Sequence, residues 1–153
     1  MTAEEYLKQI GLIQEILEEK QSEIKELHKR ADGIKAFDFS GIKVSGGKLA
    51  GNKGISNMVT RIITEEENYM KLFDLAFKLR AEIVSKIQAL KNLLHVRFLF
   101  KYYVEGKSLE TISNEVKRSY SYMRALKCKA LEAFQKQHSK FLEKAKPALQ
   151  FLL

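Results

Sequence analysis

The sequence has one cysteine, one proline and no tryptophan in 153 residues. With Cys128 alone, an internal disulfide framework and any zinc site built on several thiolates are excluded. A single thiol suits a reducing compartment, so a cytoplasmic location is expected. Pro147 is the only residue that strongly breaks helices, which leaves most of the chain free to be helical. No apolar run approaches the roughly 18 residues of a membrane span, so no membrane partner is expected. Glu4 and Glu5 stand where a secretory leader would be apolar, and none is expected. Glycine is scarce outside one stretch: Gly33, Gly41, Gly46, Gly47, Gly51 and Gly54 lie within residues 33–56. The chain is 45% hydrophobic, enough for a folded core of one domain or a small domain with an extension.

Charge is present in quantity and unevenly spread. The net charge is +8. Residues 91–153 hold 13 basic and 5 acidic groups, so their own excess equals that of the whole chain. Residues 1–34 are net acidic. A basic segment joined to a balanced one points to a polyanion, with double-stranded DNA the leading candidate partner.

The first segment has the pattern of one long helix. Thr2 and Glu5 have capping-box spacing. Ile10, Leu17, Ile24 and Ala31 recur every seven residues; Ile13, Leu27 and Ile34 form the second seam, which Lys20 interrupts. Gly11 lies inside this pattern at a cost of about 1 kcal/mol relative to Ala. A stripe this narrow needs a partner helix. The glycine-rich residues 33–56 are expected to be a loop, with Phe37, Phe39, Ile42 and Val44 able to form an extended patch. A second long helix is expected from about Asn57 to the low nineties, with Ile62, Tyr69, Ala76, Ile83 and Leu90 on one seam and Leu72, Leu79 and Leu93 on the other. Residues 1–90 are therefore expected to form a long antiparallel, coiled-coil-like hairpin. The same stripe would serve a homodimer.

Residues 91–135 change to short helical periods. Leu94, Phe98, Leu99 and Tyr102 share one face, and Val104–Lys107 form a break. Ser108 is suited to cap a helix with Leu109, Ile112 and Val116 inward; Ser119 is suited to cap the next, with Met123, Leu126, Ala130 and Phe134 inward. This is the spacing of a helix-turn-helix: an apolar–small pair at Ile112–Ser113, then apolar residues at Val116, Met123 and Leu126. Lys117 stands where the turn commonly has glycine, and Arg118 where it commonly has an apolar residue. The outward face of the last helix is Tyr120, Ser121, Arg124, Lys127 and Cys128. Arg124 is the candidate for base readout, because a guanidinium can bond bidentately to guanine. Tyr120 and Ser121 are placed for thymine methyls or phosphates, and Lys107, Ser108, Lys117, Arg118 and Lys127, with Lys129 behind them, for phosphates.

Residues 101–131, KYYVEGKSLETISNEVKRSYSYMRALKCKAL, resemble sigma-70 region 4 and its phage relatives. The shared features are a Tyr, an apolar residue and an acid before Gly-Lys-Ser, then the Ile-small pair and an Arg/Lys-rich helix ending in Ala-Leu. The opening MTAEEYLKQI and the stretch FSGIKVSGG are similar to small phage regulators of the ArpU/RinA-like group. The resemblance touches both ends and the glycine-rich stretch. It implies a DNA-binding activator of late phage genes in the bacterial host cytoplasm, with Ser119, Tyr120, Ser121 and Arg124 facing DNA. Host RNA polymerase is a second candidate partner.

Other motifs carry less. Gly106-Lys107-Ser108 ends like a phosphate-binding loop, but Lys101 stands where that loop needs glycine. His28, His95 and His138 have no Cys or Glu at ligand spacing, and Cys128 has no evident base. Glu65, Glu66 and Glu67 fit a solvated helix face. No enzyme, metal or cofactor is expected. Residues 136–153 form a tail expected to dock as core, with polymerase contact or pairing of protomers as alternatives. Two other functions fit the pattern: a coiled-coil assembly protein such as a small terminase subunit, and a polymerase adaptor working through the acidic hairpin.

Overall fold

The computed structural model describes residues 1–38 and 51–148. Every element among them is helical: α1 (Ala3–Asp38), α2 (Gly51–Gln88), α3 (Leu93–Leu99), which runs on into a π-helical turn (Phe100–Val104), α4 (Leu109–Val116), α5 (Tyr120–Gln137) and α6 (Ser139–Lys144). No helix is long and apolar enough to cross a membrane among the described residues. The chain packs as two units, residues 1–14 with 75–153 and residues 15–74. The division between these units falls within each long helix.

The physical reason lies in the first unit. Tyr6 and Leu7 on α1 share a core with Ile83, Ile87 and Leu90 from the end of α2, Phe98 and Leu99 on α3, Ile112 on α4, Met123, Leu126, Ala130 and Phe134 on α5, and Leu142 on α6. Tyr6 stacks on Phe134 with centroids 6.2 Å apart and meets the edge of Phe141 at 5.3 Å. Its hydroxyl donates to Glu82 at 2.6 Å. Burial and that bond both hold the phenol protonated far above its ordinary range. The start of α1 is fixed by the expected capping box: Thr2 N donates to Glu5 Oε2 at 2.8 Å and Glu5 N to Thr2 Oγ1 at 3.2 Å. Ala3 N then donates to Gln135 Oε1 at 2.7 Å, tying α1 to α5. The first part of the tail docks as core: Leu142 is buried, and Ala148 N donates to the buried Gln9 Oε1 at 2.7 Å.

In the second unit the α1 and α2 segments run antiparallel along a narrow seam. Leu17, Leu27, Ile62 and Leu72 are buried. Lys20, the interruption in the α1 stripe, reaches Glu65 at 3.5 Å and Glu23 at 2.9 Å; the Glu23 bond raises its pKa above the ordinary value. His28 lies 2.8 Å from Glu66.

Three expectations change. Of the residues 33–56 expected to be a loop, 33–38 are helical in α1 and 51–56 in α2; Phe37 is helical, and Phe39, Ile42 and Val44 lie outside the described residues. The helix expected to reach the low nineties stops at Gln88, and Asn92 caps α3 by accepting from Leu94 N at 2.9 Å. That turn takes Leu93 off the seam and leaves it 62% exposed.

Candidate nucleic-acid interface

Local sequence builds the helix-turn-helix of α4 and α5. Ser108 has an extended backbone and accepts from Thr111 N at 3.1 Å; Ser119 does the same for Tyr122 N at 3.2 Å. Both are N-caps, as their spacing requires. The small residue at the crossing, Ser113, has three tasks. Its carbonyl accepts from Lys117 N and, at 3.1 Å, from Arg118 N, and its hydroxyl donates to Arg118 O at 2.6 Å. The bond from Arg118 N is the six-to-one bond of a Schellman motif, which requires a left-handed residue before it. Lys117 supplies that residue at φ 54° and ψ 47°, the position where glycine is usual. A non-glycine residue there costs roughly 1–2 kcal/mol. Upstream, Gly106 at φ +67° makes the other left-handed turn without such a cost. Ile112, Met123 and Leu126 are buried and lock the two helices together. Val116, expected inward, is 41% exposed and lines an apolar groove with Leu94, Phe98, Ile112 and Met123.

The predicted site residues divide into two groups. Lys117, Arg118, Tyr120, Ser121 and Arg124 are exposed along the turn and the first turns of α5. Among the described residues no carboxylate pairs with Lys117, Arg118 or Arg124. Arg118 lies 5.6 Å from the ring of Tyr122, an exposed aromatic of α5. Ser108 and Ser119 are exposed, but their hydroxyls serve their caps.

The second group is held by acids. Lys107 Nζ lies 2.7 Å from Glu115 and 3.1 Å from Glu105. Glu115 also bonds Lys101, and these two bonds, Lys101's first, lower the Glu115 pKa. Lys127, expected at the DNA face, instead turns to Glu4 at 3.1 Å and lies 5.0 Å from the Tyr102 ring. Burial pulls the Lys127 ammonium down, but the Glu4 bond and the neighbouring Tyr102 outweigh it and raise its pKa. The Lys127 pairing is not encoded locally, since Lys127 and Glu4 are 123 positions apart. Lys107 and Lys127, both expected at phosphates, thus each meet a carboxylate within the fold. Cys128 is exposed. Among the described residues no three His, Cys, Asp or Glu side chains gather as a metal would need.

Comparison with protein-family models, with curated proteins and with solved structures finds no match to this chain.

Proposed function

We propose that the chain is a sequence-specific double-stranded DNA-binding regulator of transcription that lays the first turns of α5 in the major groove. One observation carries this reading. Arg124 stands exposed on the same helix face as Tyr120 and Ser121, beside the cations Lys117 and Arg118, and none of the three has a carboxylate partner among the described residues, while other lysines of the motif are tied to carboxylates. A recognition helix reads bases with residues near its N-terminus, and flanking cations position it on phosphates. In this reading Arg124 selects guanine and Lys117 and Arg118 grip the backbone. The resemblance to sigma region 4 and to small phage regulators extends the proposal to an activator of late phage genes that acts with host RNA polymerase.

The test begins with selection of bound fragments from the genome that encodes the chain. On the selected site, Arg124→Ala is expected to cost about 1–3 kcal/mol and to relax preference at one base pair, with nonspecific binding retained. An equal loss on every sequence would reduce Arg124 to a phosphate contact. A salt-independent affinity would remove nucleic acid from the reading altogether.

A further inference from the structure

The largest exposed apolar feature is on α2. Val59, Ile63, Met70 and Phe73 point to solvent, and Phe77 follows on the same helix; Ile63 is 51%, Met70 57% and Phe77 68% exposed. Exposed apolar residues scattered singly are ordinary. These are not scattered. Ile63, Met70 and Phe77 are seven apart, and Val59 and Phe73 stand fourteen apart with Glu66 midway. They form a second heptad seam beside the one that buries Ile62 and Leu72 against α1.

We propose that this seam is covered by a second copy of the chain, whose α2 lies antiparallel to the first about a two-fold axis. The proposal is independent of the DNA reading. Three points favour this occupant. A heptad seam is complementary to itself, and a two-fold pairing lets residue i meet j while j meets i. The area fits a weak, transient pairing: the four residues of the second unit at roughly 100 Å² of exposed apolar side chain each give about 800 Å² over two copies. The charges then choose the direction. In a parallel pair the two Glu66 carboxylates would share one layer of the seam. In the antiparallel pair Ile63 packs opposite Phe73, Glu66 meets the thioether of Met70, and Lys71 of each copy comes beside Glu67 of the other. Glu66 already leans to His28 on α1, which takes its charge off the seam. Glu67 and Lys71 have no ion-pair partner among the described residues, so both charges are free to pair across the axis.

The full chain should have the mass of a dimer by light scattering or sedimentation at micromolar concentration. Ile63→Lys combined with Phe73→Lys should raise the dissociation constant by about a hundredfold or more. Helix content should not change, because both side chains are exposed in the single chain. In a Cys128→Ser background, Glu67→Cys should cross-link two copies on mild oxidation and Ile63→Cys should not, since only an antiparallel pair brings the two 67 positions together. A monomer, a larger ring, a dimer that survives the double substitution, or cross-linking through Ile63→Cys in place of Glu67→Cys each overturns the proposal.

Discussion

Residues 1–14 and 75–148 close a core in which each helix has several neighbours, whereas residues 15–74 hold together along one seam between two helices. The same seven-residue spacing runs through both. In the first unit, Leu7 and Phe134 are surrounded on every side. In the second, Leu17, Leu27, Ile62 and Leu72 lie along a line, and the other apolar side of α2 stays open. Periodicity determines which residues line up; the number of neighbouring helices determines how wide an arc they can bury. A one-partner helix that is apolar over a wide arc therefore advertises a missing neighbour.

The largest test of this contrast is mutational. Phe134→Ala should cost about 3–5 kcal/mol, and Leu72→Ala about 2 kcal/mol, because a two-helix seam can collapse around the gap. Urea unfolding followed by circular dichroism measures both, and equal costs would break the comparison. Next come the cations. Lys117→Ala and Arg118→Ala should each flatten the salt dependence of DNA binding by about one unit of slope. Lys107→Ala and Lys127→Ala should leave it unchanged, and a loss there would show that the carboxylates release these lysines to DNA. Lys117→Gly should stabilise the fold by roughly 0.5–1 kcal/mol, since relief of the left-handed strain exceeds the entropy that glycine adds to the unfolded chain. The matched loss of DNA affinity would separate the strain from the charge.

The smallest effect is that of pH. The Lys127 bond, followed by the Lys8 bond, lowers Glu4 below its ordinary value of 4.5. Its contribution is therefore whole above pH 4.5 and is lost as pH falls through the lowered value. Lys127 is raised above 10.5, so its contribution is whole below that pH and is lost as pH rises through the raised value. The pair is partly exposed and should be worth about 0.5 kcal/mol or less. Glu4→Gln should flatten the acid limb of the stability profile by that amount.

Where structure follows from neighbours in the chain, it was legible in the sequence. The caps Thr2–Glu5, Ser108 and Ser119, the crossing at Ile112–Ser113, and the special turn position at Lys117 each depend on residues at most five apart. Composition misled at residues 33–38 and 51–56, because glycine lowers helix stability by only about 1 kcal/mol and flanking helix can override it. That is how α1 reaches Asp38 and α2 starts at Gly51. The partner of Lys127, Glu4, depends on how α1 and α5 pack on one another, and no local spacing encodes that. The open seam of α2 was hidden for a different reason: the neighbouring stripe already accounted for the heptads.

The first unit is discontinuous in sequence, and this has a consequence for how the protein is made. Tyr6 and Leu7 leave the ribosome more than 120 residues ahead of their neighbours Phe134, Phe141 and Leu142. At about 5–20 residues per second, that is a wait of several seconds. During this interval residues 15–74 are free to pair, and the first turns of α1 have no core to join. α5 is thus completed after the segment that carries the open α2 seam, so under the two proposals above assembly of two chains would begin before either could hold DNA. Pulsed hydrogen exchange should show protection at Leu17 and Ile62 before Leu7 and Phe134, and the reverse order would contradict this sequence of events.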